Sequence, residues 1–459
     1  MLVSRDVDSN GGAALSNARR LIGSGIAVGA LAWMTFPAAA LPPEVQSQID
    51  QSFREVLRNP GDTAVNRSYA EQLIEAGDYE KAVATLERIL IDDPAQSTVR
   101  FEIAVLYFRL GSYEASRAYF QRALADPALP ADLRARGEQF LADIADRLSR
   151  QQITGFASAG AGWQSNANTG PDPVTLRALG TPISRPPSIS PKSDFDFFGA
   201  TNIQHSYDLD TQNDAHIVST LLGYGNAFSR FSRQDLVLGE ITSGIRFKPD
   251  PLDLKNLQIR PHVIANYVLL DGDRYESTYG FGLDVTYEWS ERLASELTLE
   301  YRRPQYGTIA ALGDNQLQSG DEKVVKLRTA YQLTESQLLF ADLIYRSAGT
   351  KRGFYDFDQY QATLTYALDY AAPVQIGAPS WSVSPYVSWY SRDYGGADPS
   401  IDPAATRLDN VVTIGINHAI PINAAWRTFQ SIQHTWSDSN VPNYTFQDTA
   451  IVVGLSRVF

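Results

Sequence analysis

The sequence predicts a short α-helical solenoid followed by a fourteen-stranded antiparallel β-barrel that spans a membrane. Three observations predict it. Beyond residue 150, apolar residues recur at every second position in runs mostly of eleven to fourteen residues. Soluble strands average about five or six residues, whereas membrane strands need about nine to eleven. Tyrosine and tryptophan stand near both ends of runs, as at Tyr275 and Trp289 or Trp381 and Tyr394, where the interfacial girdles of a barrel belong. Ahead of the runs, residues 42–150 switch to a period of about 3.6 with strong helix formers and no β-branched tracts.

Residues 1–40 read as a secretory signal peptide. Arg19 and Arg20 precede an apolar stretch from Leu21 to Phe36, and Ala38, Ala39 and Ala40 supply a small-residue cleavage site. The arginine pair lacks the surroundings of a twin-arginine signal, so ordinary export of an unfolded chain is expected. A formal charge of −13 over 459 residues argues against nucleic acid, which rewards basic stripes. No cysteine occurs, which removes disulfides and thiolate metal sites, and no cofactor is expected. Mean hydropathy is −0.23, and the signal is the sole continuous apolar segment, so helical membrane spans beyond it are excluded.

Residues 41–150 carry a repeat. Gly77-Asp78-Tyr79-Glu80 returns thirty-four residues later as Gly111-Ser112-Tyr113-Glu114, and Pro60 and Pro94 keep the same spacing. That is the tetratricopeptide period, two antiparallel helices around a glycine turn. Ala70, Ala82, Leu86 and Pro94 meet the packing positions of the first copy, and Ala104, Tyr107, Phe120 and Ala123 those of the second; Ile89 and Ser116 replace usual alanines. Two repeats are marginal alone, so helices near 44–58 and 131–149 are expected to cap them. By repeat position Arg67, Glu71, Phe101, Val105, Phe108 and Arg109 fall on the concave face, a candidate client groove. The plain alternative places Phe101, Val105 and Phe108 in the core.

The barrel, residues 151–459, takes its runs from 153–163, 195–209, 215–228, 235–247, 257–270, 275–289, 293–303, 321–333, 337–347, 357–370, 381–394, 408–420, 425–437 and 444–459. Fourteen is even, as bacterial barrels require. In the sixth run Tyr275, Ser277, Tyr279, Phe281, Leu283, Val285, Tyr287 and Trp289 share the face expected to meet lipid. Connections 164–194, 304–320 and 395–407 are long, while those after even-numbered runs are shorter on the whole. Long loops face outward and short turns the periplasm, so both ends of the barrel belong on the periplasmic side. The last strand puts Ile451, Val453, Leu455 and Phe459 in one register. It resembles the closing strand of outer-membrane proteins, with Phe459 as the assembly signal; Arg457 stands where another aromatic is common and is expected to snorkel to the interface.

The inward faces carry many charges, among them Glu296, Glu300, Arg302, Lys326 and Arg328 as candidate lumen residues. A catalytic carboxylate pair is conceivable, but a wetted lumen needs polar side chains that pair across strands. The five histidines lack metal spacing, and no serine-histidine-acid order stands out, so an enzyme is not expected.

Trp163, Ser165, Asn166 and Asn168 open the proline-rich loop after the first run. This stretch resembles the aromatic-x-Ser-Asn-x-Asn segment of the surface lipoprotein assembly modifier family, in which a tetratricopeptide domain precedes a fourteen-stranded outer-membrane barrel. The resemblance implies a translocation or assembly factor that delivers lipoproteins or secreted proteins to the bacterial surface. Its partners would be outer-membrane lipid, the barrel assembly machinery and a protein client captured in the periplasm. Two alternatives stand beside it: exopolysaccharide exporters, which also join such repeats to a barrel, and a general porin, which leaves the repeats without a purpose.

Overall fold

A computed structural model describes residues 43–249, 256–309, 315–374 and 377–459. The expected signal peptide lies outside the described residues. The chain divides into a helical unit ending at Gln152 and a barrel unit, Ile153–Phe459.

Among the described residues the helical unit has six helices: α1 (Pro43–Arg58), α2 (Thr63–Glu75), α3 (Tyr79–Asp92), α4 (Ser97–Arg109), α5 (Tyr113–Leu124) and α6 (Ala131–Arg147). Asp62 starts α2 by accepting from the backbone N–H groups of Ala64 and Val65 at 2.8 and 3.2 Å, satisfying donors that the first turn leaves free. Gly77 and Gly111 end α2 and α4 at φ of 78° and 72°, a left-handed conformation that glycine adopts without a Cβ penalty. Ala70, Leu73, Ala82, Leu86 and Ile89 are buried with Val99 and Ile103, while Ala104, Phe120, Ala123 and Ile144 form a second cluster under α6. Serine in place of alanine is accommodated: the buried Ser116 hydroxyl donates to the Ala104 carbonyl at 2.7 Å.

The barrel strands are β1 (Gln151–Gln164), β4 (Asp194–Asp208), β5 (His216–Phe228), β6 (Leu236–Arg246), β7 (Leu257–Leu270), β8 (Asp273–Ser290) and β9 (Leu293–Tyr306). They continue through β10 (Gly320–Thr334), β11 (Gln337–Thr350), β12 (Phe357–Ala371), β13 (Ser380–Ala397), β14 (Thr406–Pro421), β15 (Trp426–Ser439) and β16 (Phe446–Val458). All fourteen close into one cylinder in which sequence neighbours pair and β1 meets β16. A small ribbon, β2 (Thr175–Ala178) with β3 (Thr181–Ser184), sits in the loop after β1.

Alternation fixes the faces. In β7, Val263 and Tyr267 are exposed while Ile264, Val268 and Leu270 are buried; in β16, Ile451, Val453 and Leu455 are exposed while Ala450, Val452 and Ser456 are buried. The exposed set is the lipid face. Arg457 lies over the Trp426 ring, 5.8 Å from its centroid.

One expected lipid-facing residue is not on that face. Pairing jumps from Glu276–Val268 to Arg274–Leu269, so Tyr275 is the extra residue of a β-bulge. A bulge turns one side chain to the opposite face. Tyr275 therefore packs inward, edge-on to Tyr306 with centroids 5.3 Å apart. There it joins Phe198, Tyr224, Leu236, Leu238, Val268 and Leu270, against which Ile309 of the β9–β10 loop also packs.

Candidate functional site

The inner wall from β6 to β11 is a ladder of opposite charges. Arg302 on β9 donates to Glu240 on β6 at 2.7 Å and to Glu300 at 2.8 Å, and Glu300 also takes Lys326 at 3.3 Å. Arg260 and Asp284 pair at 2.7 Å, with Thr298 donating to the same carboxylate at 2.7 Å. Arg346 pairs with Glu322 at 2.5 Å and Arg328 with Asp342 at 2.6 Å. Glycines make room for these long side chains: a Cβ on Gly282 would stand 2.5 Å from the His262 ring.

Four candidate lumen residues, Glu300, Arg302, Lys326 and Arg328, thus take part in ion pairs, and Glu296 accepts from the Thr286 hydroxyl at 3.2 Å. Sequence reasoning missed Glu240, Arg260, Arg346, Arg392 and Arg407 as wall residues. Inward register alone would have found Arg346 and Arg392, whereas Arg407 falls in the expected connection 395–407 and enters the wall because β14 begins at Thr406. Arg392 lies 4.5 Å over Phe357 and donates twice to the Gln359 side chain, at 2.9 and 2.6 Å. Arg407 lies 3.2 Å over Tyr444 and 4.6 Å over Tyr394, stacks that guanidinium planes favour.

The Ser165-Asn166-x-Asn168 segment is a fastening. Asp448 accepts from the Ser165 hydroxyl at 3.0 Å and the Asn166 backbone at 2.9 Å. The Asn166 side chain donates to the Gly170 carbonyl at 2.9 Å and accepts from the Gly170 N–H at 2.8 Å. Asn168 donates to Ser190 at 2.8 Å and accepts from Lys192 at 2.7 Å. Further along, Asn443 clamps the Arg177 backbone from both sides, at 2.9 and 3.0 Å.

In the helical unit, Arg67 pairs with Glu102 at 3.1 Å. Burial pushes the Glu102 carboxyl above its ordinary value, with Arg67 opposing. Glu71 and Arg109 are exposed, and Arg109 lies 5.4 Å over Tyr79. Phe101 is buried beside Phe120 at 5.2 Å. Phe108 stands 5.1 Å from Phe140 of α6 with Arg147 over its ring, so α6 packs against both rings.

Residues 70–132 match the tetratricopeptide repeat and residues 200–459 the surface lipoprotein assembly modifier family. No curated protein matches the chain. Among solved structures, an anion-selective porin from Comamonas acidovorans is 11% identical at TM-score 0.34, covering 67% of this chain and 99% of its own. The outer membrane channel DcaP of Acinetobacter baumannii is 9% identical at TM-score 0.36, with 67% and 97% covered. PcrH in complex with the chaperone binding region of PopD is 15% identical at TM-score 0.21, with 30% and 91% covered. With more than half its length in one family match, and with helical repeats ahead of a closed fourteen-stranded barrel, the chain belongs to the surface lipoprotein assembly modifier family of outer-membrane proteins.

Proposed function

We propose that this protein delivers lipoproteins or secreted proteins to the bacterial cell surface, its repeats capturing the client in the periplasm and its barrel passing it outward. What supports this reading is the pairing, within a family named for lipoprotein assembly, of a barrel with a repeat unit on which Arg67 is half-buried and Glu71 and Arg109 are exposed. Tetratricopeptide grooves are peptide-binding shapes, and no catalytic step is needed. The paired wall favours a protein client over a charged sugar polymer. Glu240, Arg302, Glu300 and Lys326 neutralise one another instead of offering one sign of charge along the lumen.

The test is a comparison of surface-labelled proteins between a deletion strain and its parent. Loss of one or more lipoproteins or secreted proteins from the surface, with the proteins retained in the cell, is the expected result. Unchanged surface proteins with reduced polymer export would replace this reading with the exporter.

A further inference from the structure

A client that carries acyl chains poses a problem for any polar lumen, because hydrocarbon gains free energy by staying in lipid. The wall of this barrel has one place where it can part without breaking a covalent turn. Every neighbouring pair of barrel strands is joined directly by a loop except β1 and β16.

The middle of that seam is built from small residues. Cross-strand side-chain pairs are the unit of sheet stabilisation, and between Ala157 and Gly162 β1 supplies only small side chains, the larger pairs Phe156–Val458 and Trp163–Ile451 standing at the two ends. Outward, Ala157, Ala159 and Ala161 face Arg457, Leu455 and Val453; inward, Ser158 faces Ser456 and Gly160 faces Gly454. By contrast, β10 and β11 set Val325 against Tyr345 and Leu327 against Leu343. The two opposed glycines are roofed by rings from the flanking strands. A Cβ on Gly160 would stand 2.8 Å from Phe198 of β4, and one on Gly454 would stand 2.5 Å from Phe429 of β15. These rings meet each other with centroids 6.2 Å apart, forming a bar across the seam from inside.

Two fastenings hold its ends. At the end that the long loops mark as extracellular, Asp448 of β16 takes Ser165 and Asn166, and the Ser165 hydroxyl accepts in turn from the Thr449 N–H at 2.7 Å. At the other end Gly155 and Phe459 exchange backbone bonds at 2.8 and 3.1 Å. A carboxylate clasp made by side chains can release and re-form without unfolding a strand.

We propose that the β1–β16 seam is a lateral exit through which the acyl chains of a lipoprotein client reach the membrane, with the Ser165–Asn166–Asp448 clasp and the Phe198–Phe429 bar as its latch. This rests on the lipoprotein-delivery reading. The polypeptide travels in the lumen, the acyl chains pass between β1 and β16 into lipid, and the seam closes behind them.

The chain has no cysteine, so the seam can be locked cleanly with Ala159→Cys and Leu455→Cys, which face each other. The control is Leu343→Cys with Ala362→Cys on the hairpin-joined β11 and β12. Surface lipoproteins are labelled on intact cells with a membrane-impermeant biotin ester, before and after oxidation and after reduction. Locking the seam should lower the affected lipoproteins to the deletion-strain level, reduction should restore them, and the control lock should leave them unchanged. If deletion removes no lipoprotein, the delivery reading and the exit fall together. If deletion removes them and the locked seam does not, the exit alone is wrong. Amide exchange of the unmodified protein in detergent gives a second measurement that needs no variant. The β1–β16 pairing should exchange at least about tenfold faster than β10–β11, and equal protection would overturn the proposal.

Discussion

Arg302 and Glu240 meet at 2.7 Å although two strands, β7 and β8, lie between their own. The pair is a chord across the inside of the wall and ties four strands together. Its side chains are largely withdrawn from solvent, with Arg302 at 8% and Glu240 at 20% exposure. Burying charges costs desolvation, which attraction offsets only while both partners remain.

Arg302→Gln should therefore strand Glu240 and lower barrel stability by about 3–5 kcal/mol. The double change Arg302→Met with Glu240→Leu should lose less than the single one. Urea unfolding of the purified protein in detergent, followed by gel mobility, ranks the three. A double variant less stable than Arg302→Gln would contradict the buried-charge account.

A second expectation concerns glycines beneath rings. The Tyr386 ring lies over Gly415, where a Cβ would stand 2.7 Å from it, and its hydroxyl donates to Gln433 at 2.6 Å. Gly415→Val should displace the ring, break that bond and cost about 1–3 kcal/mol. Gly239→Val has open space around the new side chain and should be neutral or better. Similar losses at both positions in the same unfolding measurement would show that strand propensity, and not the ring, governs the site.

Much of this was legible because the barrel's period of two is strict. The run 257–270 coincides with β7, and the other strands agree to within a few residues. Tyr275 was misplaced because a bulge shifts the register by one without any local composition signal. Phe101 and Phe108 read as groove residues from repeat position alone, since repeat position does not reveal that the capping helix α6 lies over them. The Arg302–Glu240 chord was invisible for a similar reason. Pairing rules read adjacent strands, and this contact skips two.

The asparagine-rich segment gives a third expectation. Asn166 is buried and its amide holds Gly170 through both donor and acceptor. Asn166→Ala leaves the Gly170 N–H and carbonyl without these partners, at about 1–3 kcal/mol if they stay buried, and should loosen residues 165–193 locally. Protease added to intact cells should nick this loop in the variant and spare it in the parent. Equal resistance would mean that Asn168 and Asn443 suffice to hold the loop.

The last expectation separates recognition from stability at the end of the chain. Phe459 is 44% exposed, and its backbone bonds with Gly155 do not depend on the side chain. Val458 pairs with Phe156 and lies in the inward register with Ser456. Serine at either position keeps the backbone ladder, so refolding into detergent micelles should succeed for Phe459→Ser and Val458→Ser alike. In cells the outcome should differ, because the lipid-facing register that holds Ile451, Val453, Leu455 and Phe459 is the one we expect the assembly machinery to read. Phe459→Ser should then give the lower yield of heat-modifiable barrel in the outer membrane, with unfolded protein accumulating in the periplasm. Equal yields in cells would remove Phe459 as a signal, and a loss in micelles matching that in cells would assign it to stability alone.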